Sequence, residues 1–186
     1  VLSGIAEALK AGLRVKINCV PTGQSDLDGL MKIAAIAKEK PIQVRFIEMM
    51  PIGLGEQFNG IPKEQLKTCM EDQFGPFSPC YEVCGNGPAT YYSIKGFTGH
   101  IGFISAVTEK FCGTCNRVRL TASGFLKLCL HYDCGIDLRE PLRSGISDQE
   151  FLTIMKNAIA HKPAAHHFEQ PSVAHRELHS MAQIGG

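Results

Sequence analysis

The sequence predicts an α/β fold in two parts. Residues 1–74 read as the end of a parallel, helix-covered sheet or barrel, and residues 75–186 as a smaller α+β part. Three observations predict it. Apolar spacing switches between helical and strand periods through residue 74, in the order α-β-α-β-α. Residues 75–88 break that rhythm with Gly, Pro and Cys. Beyond them, short β-prone runs come in pairs around glycine turns.

Ser3 is placed to cap a first helix, with Ile5, Ala8 and Leu9 at helical spacing and Gly12 as its stop. Residues 15–20 read as a strand in which Lys16 and Asn18 alternate with Val15, Ile17 and Cys19. Ser25 and Asp28 have capping-box spacing ahead of Leu30, Ile33, Ala34 and Ala37, and Pro41 ends that helix. Residues 42–49 read as a second strand, and Pro62 opens a helix reaching Phe74. Alternating strands and helices imply parallel pairing. Two strands do not make a covered parallel sheet, so earlier strands are expected to precede this sequence. In the second part, residues 89–95 and 100–106 form one expected hairpin, and residues 117–121 and 125–130 another, around Ala122-Ser123-Gly124. A helix is expected at about 147–160, amphipathic through Phe151, Leu152, Ile154, Met155 and Ile159, and an irregular His-rich end follows it.

Composition narrows the function classes. Apolar residues are 44% and charged residues 20% of the 186, so the chain can bury a core. A formal charge of +1 excludes a strongly basic nucleic-acid surface but not a local basic pocket. No run approaches the roughly 18 apolar residues of a membrane span. Val1-Leu2-Ser3-Gly4 shows no Met, no basic stretch and no long apolar stretch, so no signal peptide, a cytoplasmic location and a piece of a longer protein are expected. Eight cysteines in such a chain point to metal or redox chemistry before a disulfide framework.

The strongest chemical signal is Cys112-Gly113-Thr114-Cys115, followed after thirteen residues by Cys129. A C-x-x-C turn brings two thiolates together, and the expected hairpin strand brings a third. These soft ligands suit zinc or iron–sulfur. Spacing alone does not separate the two. Zinc would need a fourth ligand, such as Cys134 or His131. A thioredoxin-like pair should open a helix after a strand, whereas this one precedes strand-like residues. Plain burial of unrelated thiols is the remaining reading. Arg117 and Arg119, two apart in an expected strand, would share a face and suit a polyphosphate, or else form the exposed face of a hairpin. Lys16 and Arg45 sit inside the expected parallel strands. There a basic group must meet a charge or substrate, snorkel outward, or pair with Glu48. By pattern alone, Met50 reads as core packing, and His161, His166, His167, His175 and His179 as a solvated tail. Cys80 and Cys84 lack the third cysteine of a cluster motif, and Cys19 and Cys69 suit burial.

Taken together, residues 111–121, Gly124 and Cys129-Leu130 closely resemble the C-terminal cluster segment of the molybdenum cofactor biosynthesis protein A family, the radical S-adenosylmethionine GTP 3′,8-cyclases. Val15-Lys16-Ile17-Asn18, residues 44–51 and the closing Ile184-Gly185-Gly186 support the resemblance, which runs through the whole chain. It implies the C-terminal part of a partial (β/α) radical S-adenosylmethionine barrel over residues 1–74 and a cluster-binding domain over residues 75–186. It implies that Cys112, Cys115 and Cys129 hold a 4Fe–4S cluster with one iron open to GTP. Lys16, Arg117 and Arg119 would bind GTP, Arg45, Gly185 and Gly186 would serve the active site, and Met50 would contact S-adenosylmethionine. The reaction implied is radical cyclisation of GTP on the route to cyclic pyranopterin monophosphate, in a homodimer. The family's C-x-x-x-C-x-x-C motif, which binds the cluster that cleaves S-adenosylmethionine, is absent from these residues, so the chain alone is expected to be inactive. Cys134 is extra to the three-cysteine pattern. The rivals are another radical enzyme with an auxiliary cluster and a non-catalytic zinc-stabilised binding module.

Overall fold

The computed structural model describes residues 1–82, 85–169, 181, 183 and 184. The chain folds as two compact units, Val1–Met49 with Phe58–Glu109, and Met50–Gln57 with Lys110–Gly186.

In the first unit, α1 (Leu2–Lys10) is followed by β1 (Lys16–Cys19), α2 (Leu27–Glu39), β2 (Gln43–Ile47), α3 (Lys63–Phe74), β3 (Phe77–Pro79), β4 (Thr90–Ile94) and β5 (His100–Ile104). The strands form one mixed sheet in the order β1-β2-β5-β4-β3. β1, β2 and β5 run parallel, while β4 and β3 are antiparallel additions. The division expected at residue 75 therefore falls inside this unit. β3, β4 and β5 lie beyond that residue and hydrogen-bond into the sheet that β1 and β2 begin. The Gly- and Pro-rich run that marked a boundary includes β3 of this sheet, since such residues punctuate loops and short edge strands as readily as domains.

The register separates two faces, because residues opposite one another across a sheet point the same way. Ile17, Val44, Ile101 and Tyr92 share a row, as do Cys19, Phe46 and Phe103. This face meets Leu30, Met31, Ala34 and Ala37 of α2 and Leu66 and Met70 of α3 in the main core. The opposite face is polar. Lys16, Gln43 and His100 form one row, and Asn18, Arg45, Gly102 and Tyr91 the next.

Helix ends followed local chemistry that spacing only partly revealed. α1 ends as expected at Gly12, whose φ of 73° lets the N–H groups of Gly12 and Leu13 reach the carbonyls of Leu9 and Ala8. Its N-cap is Val1, and Ser3 lies within the helix. For α2 the cap is Asp26, whose carboxylate accepts the N–H groups of Asp28 and Gly29. Ser25 Oγ accepts from Thr22 N–H instead, which takes it out of the expected capping box. Pro41 forces Lys40 into extended backbone and stops α2.

The second unit contains β6 (Arg119–Leu120), β7 (Phe125–Lys127), β8 (Gly135–Asp137), α4 (Arg139–Arg143) and α5 (Asp148–Ala160). β6, β7 and β8 form an antiparallel sheet. Phe151, Met155 and Ala158 of α5 pack with Leu126, Leu128 and Leu138 in its core. The hairpin around Gly124 and the helix near 147–160 match expectation. β3, β8 and α4 were not foreseen, being three to five residues long and too short to show a period. No helix among the described residues is long and apolar enough to cross a membrane.

Candidate functional site

In the first unit the polar sheet face carries the expected basic residues. Lys16 and Arg45 are both half-buried on it. Arg45 Nε donates to Asn18 Oδ1 at 2.8 Å, across adjacent strands. The Arg45–Glu48 pairing weighed from sequence is not what forms. Glu48 Oε2 accepts the N–H groups of Val107 (2.7 Å) and Thr108 (3.0 Å) and so ties the turn after β5. Gly102 makes room for this arrangement. A Cβ there would stand 2.8 Å from the Tyr91 ring and 3.2 Å from Arg45 Cγ. Sequence reading passed over Gly102, although a lone glycine inside a strand is the usual sign of a close approach.

In the second unit, Cys112 and Cys115 lie on a 3₁₀ turn, closed by Cys115 N–H donating to Cys112 O at 3.1 Å. No regular helix opens here, which removes the thioredoxin-like reading. Cys129 follows β7, and all three thiols are free and half-buried. Cys112 Sγ accepts the backbone N–H of His166 at 3.4 Å. Among the described residues, Cys112, Cys115 and Cys129 do not gather with their sulfur atoms all within 4.8 Å of one another. A single tetrahedral zinc, with Zn–S of about 2.3 Å, would draw them closer than that. Neither Cys134 nor His131 completes a tighter group. Cys134 packs in the apolar core, where burial, then the charge of Cys129, pushes its thiol pKa up. His131 is buried against Tyr132 and Phe168, ring centroids 4.4 and 4.5 Å away.

Arg119 lies in β6 and is half-buried, whereas Arg117 is exposed and precedes the strand. The strand-parity reason for a shared face therefore does not apply to Arg117. Electrostatics still link them. Burial, then the charge of Arg117, pushes the Arg119 pKa below its ordinary value. An anion would relieve that repulsion.

Two lysines that no motif singled out hold this region. Lys162 Nζ donates to the carbonyls of Arg117 (2.9 Å) and Leu128 (2.7 Å), tying together the backbone beside Cys115 and beside Cys129. Lys127, 2% exposed, donates to Tyr132 O at 2.7 Å. Isolated lysines carry no periodic signal, so sequence gave no warning of either. The expected solvated tail is corrected at His166, which is 7% exposed and packs against Phe168 with its ring tilted. Met50 is half-buried, and its carbonyl accepts from Ile52 N–H. Gly185, Gly186, Cys84, His175 and His179 lie outside the described residues.

Comparison with known proteins adds a third line. A sequence model of the family described as Molybdenum Cofactor Synthesis C matches residues 42–168. A GTP 3′,8-cyclase of Clostridium perfringens is 41% identical over 186 residues, all of this chain and 57% of the relative. A GTP 3′,8-cyclase of Heliobacterium modesticaldum is 44% identical over 190 aligned positions, again all of this chain and 58% of the relative. One of Moorella thermoacetica is 40% identical and 57% covered. The chain thus spans a little over half the length of these curated relatives.

Proposed function

The chain belongs to the Molybdenum Cofactor Synthesis C family, and from that premise we propose that it supplies the C-terminal, substrate-cluster part of a GTP 3′,8-cyclase in molybdenum cofactor biosynthesis. One observation carries the reading. Cys112, Cys115 and Cys129 stand with Arg117 and Arg119 in one folded unit and inside the segment the family matches. The family match is what favours a 4Fe–4S cluster over a single zinc at these thiols, and three ligands would leave one iron open. When bound, that cluster would supply an open iron as a Lewis acid for the guanine ring.

The chain's own residues do the remaining work. The His166 N–H at Cys112 Sγ stabilises a thiolate and orients it. Lys162 fixes the two ligand-bearing segments through their carbonyls. In the second unit, Arg117 and Arg119 offer planar guanidinium forks suited to a triphosphate. In the first unit, Lys16 offers a point charge, as a GTP contact would require. Arg45, set by Asn18 and given space by Gly102, serves the same chemistry. Gly185 and Gly186 would let backbone approach the ligand closely. Met50 would contact S-adenosylmethionine. On this reading, the polar sheet face bearing Lys16 and Arg45 is the lumen face of a radical S-adenosylmethionine barrel. S-adenosylmethionine cleavage and a second 4Fe–4S cluster belong with a C-x-x-x-C-x-x-C motif that these 186 residues do not contain. The whole enzyme would be a cytoplasmic homodimer that binds neither nucleic acid nor membrane.

Anaerobic iron and sulfide reconstitution of the chain tests this. The expected result is about four iron and four sulfide per chain, with spectra that shift when GTP is added. A chain that takes up zinc but no iron, and ignores GTP, would overturn the reading in favour of a zinc-stabilised module.

A further inference from the structure

We infer that Cys80, Glu82 and His100 form a second, mononuclear metal site in the first unit, suited to a divalent transition-metal ion of the zinc class. Among the described residues, these three form the one set of His, Cys, Asp and Glu whose ligand atoms all lie within 4.8 Å of one another. The fold brings them together from opposite strands of one hairpin system. Cys80 follows β3, and its N–H donates to Tyr91 O at 3.0 Å, which continues the β3–β4 ladder by one residue. His100 opens β5, where its N–H donates to Ile42 O at 3.1 Å. The register puts Cys80 in the row of Tyr91 and Gly102, two residues along from His100. Cys80 and His100 therefore share the polar face, and two ligands rest on hydrogen-bonded sheet rather than on loops.

The donor set has the right chemistry. A thiolate, an imidazole and a carboxylate are all ordinary zinc ligands, at about 2.0–2.3 Å each, and three protein ligands leave a fourth position open. The thiolate and carboxylate together balance the charge of a dication. His100 also has unfilled capacity. Its Nδ1 is buried with no hydrogen-bond partner among the described residues, and Nε2 stands 4.0 Å from Glu82 Oε2. Nε2 is the nitrogen that faces Glu82, so an ion held by this set would be engaged through Nε2. Glu82 is 77% exposed at its side chain, so it is free to close onto an ion entering from solvent. The site does not draw on the three-cysteine set of the GTP-cyclase reading. It uses none of Cys112, Cys115 or Cys129 and lies in the other folded unit.

Two measurements decide it. Alkylation of the chain, with each cysteine followed by peptide mass spectrometry, reads Cys80 separately from the other thiols. One equivalent of Zn²⁺ is expected to slow Cys80 modification about tenfold or more, because a metal-bound thiolate is a poor nucleophile. Protection should vanish in His100→Gln and weaken in Glu82→Gln. Co²⁺ titration of the Cys112→Ser, Cys115→Ser, Cys129→Ser triple variant should give thiolate-to-cobalt absorption at one ion per chain. That absorption should be lost when Cys80→Ser is added. Unchanged Cys80 reactivity with Zn²⁺ in the triple variant, where the Cys112 set cannot take the ion, would overturn the assignment. So would cobalt absorption that survives Cys80→Ser.

Discussion

Gly99 has no space for a side chain. A Cβ there would collide with Ile42 O and stand 2.7 Å from Lys40 O and 2.8 Å from Ile42 N, all of them backbone. The Gly99 N–H also donates to Ala37 O at 2.8 Å, so the entry to β5 is clamped against the end of α2. Gly99→Ala is expected to destabilise the chain by about 3 kcal/mol, because the colliding atoms belong to the sheet and cannot swing away. Equilibrium urea unfolding checks this, and a loss below about 0.5 kcal/mol would show that the turn yields. The contrasting case is Arg119, where the expected loss is in binding rather than folding. If the reconstituted chain binds GTP, Arg119→Ala should weaken it about ten- to a hundredfold, the range for one charge-assisted contact. Arg119→Lys should recover only part, since lysine keeps the charge and loses the fork. The GTP concentration that half-shifts the cluster spectrum measures both. At this scale the sequence was informative where residue type dictates chemistry, as at the cysteines and arginines. It was silent at Gly102, Lys127 and Lys162, whose roles depend on which backbone atoms the fold brings near them.

Short elements and helix starts are where local pattern and tertiary structure part company. Ser25 sits at capping-box spacing, yet the next residue, Asp26, caps α2, because Ser25 is already engaged by Thr22. At α5 no such competitor exists. Ser147 Oγ accepts Glu150 N–H at 3.3 Å, and Glu150 Oε2 accepts Ser147 N–H at 2.9 Å, completing a reciprocal box. Ser147→Ala should therefore cost about 1 kcal/mol of stability. The measurement is again urea unfolding, here followed by a probe in the second unit, with Glu150→Ala as the companion variant. If the box acts as one, the double variant loses less than the sum of the two. α1, α2, α3 and α5 were legible because two and a half turns or more give a period to count. β1 and β2 were legible because polar and apolar residues alternate along them. β8 was not, since three residues hold no period. Its first residue, Gly135, matters for room instead, as a Cβ there would stand 2.7 Å from the Phe125 ring.

The whole chain carries nearly balanced charge, so its acid response rests on particular pairs rather than on general repulsion. Glu169 and Asp137, both in the second unit, are the clearest. Lys110, whose Nζ lies 2.7 Å from Glu169 Oε1, lowers the Glu169 pKa from 4.5 to about 2. The Arg139 guanidinium does the same for Asp137, from 3.8 to about 2. A carboxylate with a depressed folded pKa adds stability that is complete above its unfolded value and lost as pH falls through the folded value. Stability of the second unit is therefore expected to be level above pH 4.5 and to fall between there and about pH 2. Both carboxylates are open to solvent, so salt should flatten the fall by screening the pairs. Glu169→Gln removes one proton-binding group from the linkage, and its unfolding midpoint should depend less steeply on pH across that window. Lys110 precedes the Cys112 turn by two residues and also donates to His166 O at 3.3 Å, on the residue whose N–H reaches Cys112 Sγ. The same variant should thus loosen the thiol segment at neutral pH. That would be read as faster alkylation of Cys112 relative to Cys19, whose thiol burial holds above its ordinary pKa in the other unit. Equal pH slopes for wild type and Glu169→Gln would show that the Lys110 pair contributes nothing to folding. A changed slope with unchanged Cys112 reactivity would confine its effect to stability.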